Sequence, residues 1–332
     1  MTVSSKGELI FLTKHPVNNI DERIKRPLKS ILSGSIHMSK YERKKPEVDV
    51  AGKMKEIEGN ITCIKNEPTK GSPRLNECFM ALVNILQVLP DKTLTFVAEH
   101  YFMKLNLRKR QSTVIMLDAY GSLTSQKSQE IVGKMIFLRT KLDPDLIVQY
   151  MIHVVGAHDP PHPIILKSME DICFHPEKYP ASLYVGILYD RVMLALGATA
   201  RKLYDSGEIE RAKNITSKIN ELVGFHDPWL YRQKRSIQTE IEEEDYDKKH
   251  VILLESLGNA AIDHSYEYIV SHINATNSPW IKRAGVHALR KYDSEMAAQE
   301  ILKISYRDDS EEVRHEATLI YQAHPRYRYC NH

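Results

Sequence analysis

Three segments near the end of this chain carry the same apolar stripe at a constant spacing, and a stripe that recurs in this way leaves few folds open. In "SPWIKRAGVHALRKY", Ile281, Ala284, Gly285, Ala288, Leu289 and Tyr292 share one helical face, while Lys282, Arg283, Arg290 and Lys291 lie off it. Thirty-two residues later, "EVRHEATLIYQ" places Val313, Ala317, Ile320 and Tyr321 on the matching stripe, with Arg314 in the place of Lys282. Thirty-two residues earlier, "KHVILLESLG" puts Leu253, Ser256 and Leu257 there. A period of this length holds one helix, a turn and a second helix. Such a unit cannot bury its apolar face alone and must stack on its neighbours. The expectation is an all-α, curved, two-layer α-α superhelical solenoid, with the charges facing water.

A more distant echo extends the pattern. "LDAYGSLTSQKSQEIV" from Leu117 and "LESLGNAAIDHSYEYIV" from Leu254 share L-[DE]-[AS]-x-G, followed by Ser128 with Glu130 and by Ser265 with Glu267. Gly121 and Gly258 each fall where a helix is expected to end and a left-handed residue to be needed. Start signals agree with a run of helices: Asp143 before Pro144, Ser278 before Pro279, and Asp309 or Ser310 before an acidic first turn. Residues 1–70 are charged and broken by proline, and read as an irregular arm or the remnant of a preceding β domain. Residues 71–330 form the helical domain, with a polar linker at about 232–249.

Composition narrows the function. The 332 residues hold 46 basic and 43 acidic side chains, a net charge of +3 that gives no electrostatic case for nucleic acid. The amino terminus lacks the layout of a signal peptide, so any export signal is expected to be missing from this chain. Residues 181–200 form the longest weakly charged run, but Asp190 and Arg191 at its centre argue for a helix buried by protein rather than a membrane span. Cys63, Cys78, Cys173 and Cys330 show no C-x-x-C spacing. Glycosylation acceptors at Asn60, Asn214 and Asn274 favour the secretory pathway. In that compartment Cys63 and Cys78, nearest in sequence, are the first candidates for a disulfide, although four cysteines allow three full pairings.

The one grouping suited to a metal is "HVVGAHDPPHP", with His153, His158, Asp159 and His162. Its prolines make a stiff extended loop, and no further ligand cluster stands out, so no metal is expected. His287 lies near the edge of its stripe and reads as a half-buried structural residue. No G-x-S-x-G, phosphate loop or dinucleotide fingerprint occurs. Neither a catalytic activity nor a cofactor is expected.

Taken in order, "RQSTVIMLDAYGSLTSQKSQEIV", "LLESLGNAAIDHSYEYIVSHI", "PWIKRAGVHALRKY" and "ILKISYRDDSEEVRHEATLIYQAHP" resemble the α-helical domain of the large lipid transfer proteins, the family of vitellogenin, apolipoprotein B and the large subunit of microsomal triglyceride transfer protein. The resemblance covers about residues 75–325. It implies a helical scaffold that binds partners in lipid transport or lipoprotein assembly. The family sets this domain between a β-barrel and lipid-enclosing β-sheets. The 1–70 region is too short for the barrel and no sequence for the lipid-holding sheets is expected after His332, so the chain is expected to lack its own lipid cavity and to meet lipid only indirectly. The implied partners are β-rich domains of a parent protein, an apolipoprotein or protein disulfide isomerase. The competing expectation is a HEAT-like adaptor with no lipid role.

Overall fold

A computed structural model of the chain describes residues 49–325 apart from 68, 70, 104–109, 124, 139–142, 176–177, 179–186 and 226–239. The described residues fall in one unit, Val48–His332. They form fourteen α-helices and no strand: α1 (Val50–Asn66), α2 (Pro73–Gln87), α3 (Asp91–Ala98), α4 (Arg110–Ser122), α5 (Gln126–Val132), α6 (Pro144–Gly156), α7 (Pro163–Phe174), α8 (Ile187–Asp205), α9 (Ile209–Phe225), α10 (Glu240–Ala260), α11 (Asp263–Ala275), α12 (Pro279–Leu289), α13 (Glu295–Arg307) and α14 (Glu311–Ala323). Single π-helical turns, Glu99–Met103 and Gly133–Phe137, extend α3 and α5.

Helix starts follow local chemistry. The first amides of a helix have no partner within it, and a short polar side chain before the helix supplies one. Asp143 Oδ1 accepts from the amides of Asp145 and Leu146, with Pro144 in the first turn. Ser278 Oγ accepts from the Ile281 amide, and Ser310, not Asp309, caps α14 ahead of Glu311 and Glu312. Ser72 and Ser294 repeat the device at α2 and α13.

The helices form two layers. Even-numbered helices make an unbroken stack in which α2 packs on α4, α4 on α6, α6 on α8, α8 on α10, α10 on α12 and α12 on α14. Odd-numbered helices form the second layer, where α3 packs on α5, α5 on α7 and α9 on α11. Helices of the even stack run parallel: Met193 of α8 lies beside Ser256 of α10, and Arg201, two turns on, lies beside Ala261. One apolar core runs from Ile57 to Ile320 between the layers. This is the solenoid-like stacking that the repeat predicts.

Four expectations are corrected. Gly121 and Gly258 do not end helices: they lie inside α4 and α10, without a left-handed backbone. Steric need explains them, because a Cβ on Gly258 would sit 2.7 Å from Ala288 Cα of α12, and one on Gly121 would run into the His153 ring of α6. The left-handed residue that stops α10 is Ala261, at φ 45°. Residues 1–70 are not irregular throughout, since Val50–Asn66 is helical and buries Ile57 and Ile61, spaced one turn apart, against the core. Of the expected linker, 232–239 lies outside the described residues, and the remainder is helical, forming the first turns of α10. The charges of α12 do not simply face water. Lys282 bonds Asp308 at 2.8 Å with both side chains largely buried, and Lys291 reaches back to α10.

Candidate functional site

The even-numbered layer carries exposed and half-buried side chains whose character changes along the stack. On α6, Val148, Ile152 and Val155 follow one another at helical spacing. Ile152 is 45% exposed and Val155 44%, which is high for β-branched side chains, whereas Val148 is partly buried against the core. Half-buried apolar side chains also occur on the two helices that pack on α6, Val114 on α4 and Leu194 and Ala198 on α8. Between α12 and α14 the contacts near the surface are polar. Arg283 bonds Glu316 at 3.4 Å and lies 3.9 Å from Glu312, His287 Nε2 lies 2.6 Å from Glu316, and Arg290 donates to His287.

The two halves are held by different contacts underneath. Between α8 and α10, a Cβ on Gly197 would overlap the Ser256 carbonyl, so the two backbones touch there. Ser256 Oγ donates to the Met193 carbonyl at 2.7 Å and Asn259 Nδ2 to that of Leu194 at 3.0 Å. Between α6 and α8, Lys202 Nζ donates to the carbonyls of Val154 and Val155, filling the end of α6 where carbonyls lack helical partners. Burial lowers the Lys202 ammonium pKa to about 8, with Asp159 opposing. Between α10 and α12, Lys291 donates to Glu255 at 3.0 Å and to Asn259 at 2.5 Å, and burial lowers its pKa although Glu255 opposes. Asp190, at the centre of the weakly charged run, has its pKa raised by burial against the opposing charges of Arg191 and Lys249. Among the described residues no helix is long and apolar enough to cross a membrane.

The stripe residues are placed together in the core. Leu117, Leu257, Ile281, Ala288, Leu289, Val313 and Ala317 are fully buried, and Ala284 and Ile320 nearly so. Ser128 and Ser265 are equivalent in structure as in sequence: each sits buried at the start of an odd helix, Ser128 Oγ donating to the Tyr120 carbonyl and Ser265 Oγ lying 2.5 Å from Tyr292 Oη. The histidine grouping disperses. His153 Nε2 lies 3.0 Å from Asp118 of α4, His162 caps α7, and His158 and Asp159 are exposed in the loop. No group of ligands suited to a metal ion occurs among the described residues.

Cys63 of α1 and Cys78 of α2 are joined in a disulfide, with Cα atoms 6.2 Å apart. Cys173 is a buried free thiol whose pKa is pushed up by burial and by Glu170, and Cys330 lies outside the described residues. Of the glycosylation acceptors, Asn60 and Asn214 lie inside α1 and α9, and Asn274 lies in the last turn of α11. Sequence reasoning missed Gly197, Asn259 and Lys291. The only trace of Gly197 in the sequence is the Ala-x-Gly ending of "MLALG", which it shares with the segment that ends at Gly121 but without the preceding leucine and acidic residue.

No curated protein matches the chain. The family model of the vitellogenin TPR domain matches residues 54–327, from the first turns of α1 to just past the end of α14. With that match spanning most of its length and the helix pairs stacked as described, the chain belongs to the vitellogenin TPR domain family, the helical domain of the large lipid transfer proteins.

Proposed function

We propose that this chain is a non-catalytic scaffold of a lipid transport or lipoprotein assembly protein, and that the exposed apolar side chains of α6 dock a β-rich protein segment. The observation that carries the reading is the exposure of Ile152 and Val155 on successive turns of α6, with half-buried Val148 one turn before them. Apolar side chains aligned on one uncovered face mark a binding surface for protein. These aliphatic side chains are open to solvent, which suits the flat face of a sheet better than the closed pocket an acyl chain needs.

The Cys63–Cys78 disulfide supports a place in the secretory pathway, where such bonds persist. The partner is a β-rich domain of a parent protein or an apolipoprotein, with protein disulfide isomerase as the candidate for a separate subunit. Lipid is met only through that partner. The test is co-expression of the chain with lipid-enclosing β-sheet domains of the same family, followed by co-purification. Ile152→Asp with Val155→Asp is expected to abolish co-purification while leaving circular dichroism and the unfolding midpoint unchanged. Undiminished co-purification of the variant would overturn the docking face. The chain alone is expected to transfer little or no fluorescent lipid between vesicles. A stand-alone HEAT-like adaptor predicts binding to a cytosolic protein and reduced Cys63 and Cys78 in the native protein.

A further inference from the structure

Three Asn-x-Thr acceptors occur in this chain, and the fold treats them differently. Asn60 is half-buried in the third turn of α1, where its Nδ2 donates to the Glu56 carbonyl at 3.0 Å, and Thr62 Oγ1 donates to the Glu58 carbonyl. Both polar atoms of that acceptor are committed to the helix. Asn214 is exposed in the middle of α9, but its partner Thr216 is fully buried, with Oγ1 shared between the carbonyls of Ala212 and Lys213. Asn274 differs in each respect. It is exposed in the last turn of α11, Ala275 beside it is exposed, and the helix ends at once because Thr276 is extended at φ −95° and ψ 145°. Thr276 Oγ1 is left with its hydrogen free to donate, since it accepts from the Ser278 amide at 3.1 Å.

We propose that Asn274 is an N-glycosylation site and the most fully occupied of the three. Attaching a glycan forms a bond from Asn Nδ2 to the anomeric carbon of an oligosaccharide, with the lipid-pyrophosphate carrier as the leaving group and the displaced amide proton passing to solvent. An acceptor must leave the helix and present amide and hydroxyl on one extended segment. A chain end that is already extended meets this condition at the least cost in ordered structure. The α11–α12 connection does so, whereas α1 and α9 must unwind in mid-helix. The glycan also has room: Asn277 and Pro279 are exposed, and neither Ile152 nor Val155 lies in this connection.

This inference rests on the secretory reading, and two arms separate its failure from that of the reading. In the first, the full chain is secreted from animal cells behind an added signal peptide. Site occupancy is measured by glycosidase release in heavy-oxygen water and mass spectrometry. Asn274 is expected to be occupied on most molecules, and more than Asn60 or Asn214, with Asn274→Gln removing the largest glycosidase-sensitive mass step. Higher occupancy at Asn60 or Asn214, or none at Asn274, would overturn the proposal. Thr276→Ser, which keeps the hydroxyl, is expected to keep the glycan, so loss in Asn274→Gln is not read as misfolding. In the second arm the native protein is fractionated from its own cells: glycosidase resistance there, alongside occupied Asn274 in the first arm, overturns the secretory reading and leaves the site assignment standing.

Discussion

The α8–α10 and α12–α14 joints belong to one layer, separated by the α10–α12 joint, yet they are made differently. At α8–α10, Gly197 lets two backbones meet and two side chains, Ser256 and Asn259, bond to main-chain carbonyls of the neighbour. At α12–α14 the polar bridges are half-exposed, namely Arg283 with Glu316 and Glu312, and His287 Nε2 beside Glu316. Desolvated neutral hydrogen bonds and close packing depend on a single geometry. Half-exposed ion pairs are screened by water and tolerate adjustment. The first joint is therefore expected to be rigid and intolerant of added volume, and the second to draw its cohesion from the apolar stripe beneath the charges.

The largest expected effect tests the second joint. Leu289→Ala removes a fully buried side chain and is expected to cost about 2–5 kcal/mol in urea unfolding, whereas Arg283→Ala is expected to stay within about 0.5 kcal/mol. Comparable losses would show that the charges and not the stripe hold α12 to α14. Next in size, Gly197→Ala is expected to cost about 1–3 kcal/mol by forcing α8 from α10, because overpacking outweighs the better helix propensity of alanine. Gly59→Ala in α1, where an added Cβ meets nothing within 4 Å, is expected to gain about 0.5–1 kcal/mol. Equal responses at Gly59 and Gly197 would remove the rigid joint from the account.

Lys291→Ala is expected to cost about 1–2 kcal/mol, since it leaves half-buried Glu255 without its cation. A change near zero would place this contact with the screened pairs of α12–α14. The smallest effect belongs to Lys202. Its folded pKa of about 8 lies below the ordinary 10.5, so between those values the unfolded chain binds more protons than the folded one. Stability from this group therefore rises with pH across that window. Lys202→Met is expected to flatten the rise measured by thermal unfolding between pH 8 and 10.5, and an unchanged slope would show that the amine is effectively solvated.

Much of this architecture was legible in advance. The stripes of α10, α12 and α14 were readable because one face of a helix must be apolar wherever it stacks, and Asp143, Ser278 and Ser310 were readable because capping is local chemistry. The roles of Gly121 and Gly258 were not. A glycine near the end of an apolar run carries the same letter whether it reverses the chain or admits a neighbouring helix, and only the neighbour's position separates the two. The candidate docking face shows the same limit. Ile152 and Val155 belong to an apolar helix, and nothing in their spacing says which side the core leaves uncovered.

By itself, then, the sequence determined the helices, their period, most of their starts and the residues of the core, because these depend on side-chain type and spacing along one segment. The tertiary structure decided that α1 joins the stack, that Gly197 meets Ser256, that Lys291 pairs with Glu255 and Asn259, and that Ile152 and Val155 are exposed. Each of these depends on the distance between residues far apart in the chain. That distance is set by how successive helix pairs settle against one another, which no single segment encodes.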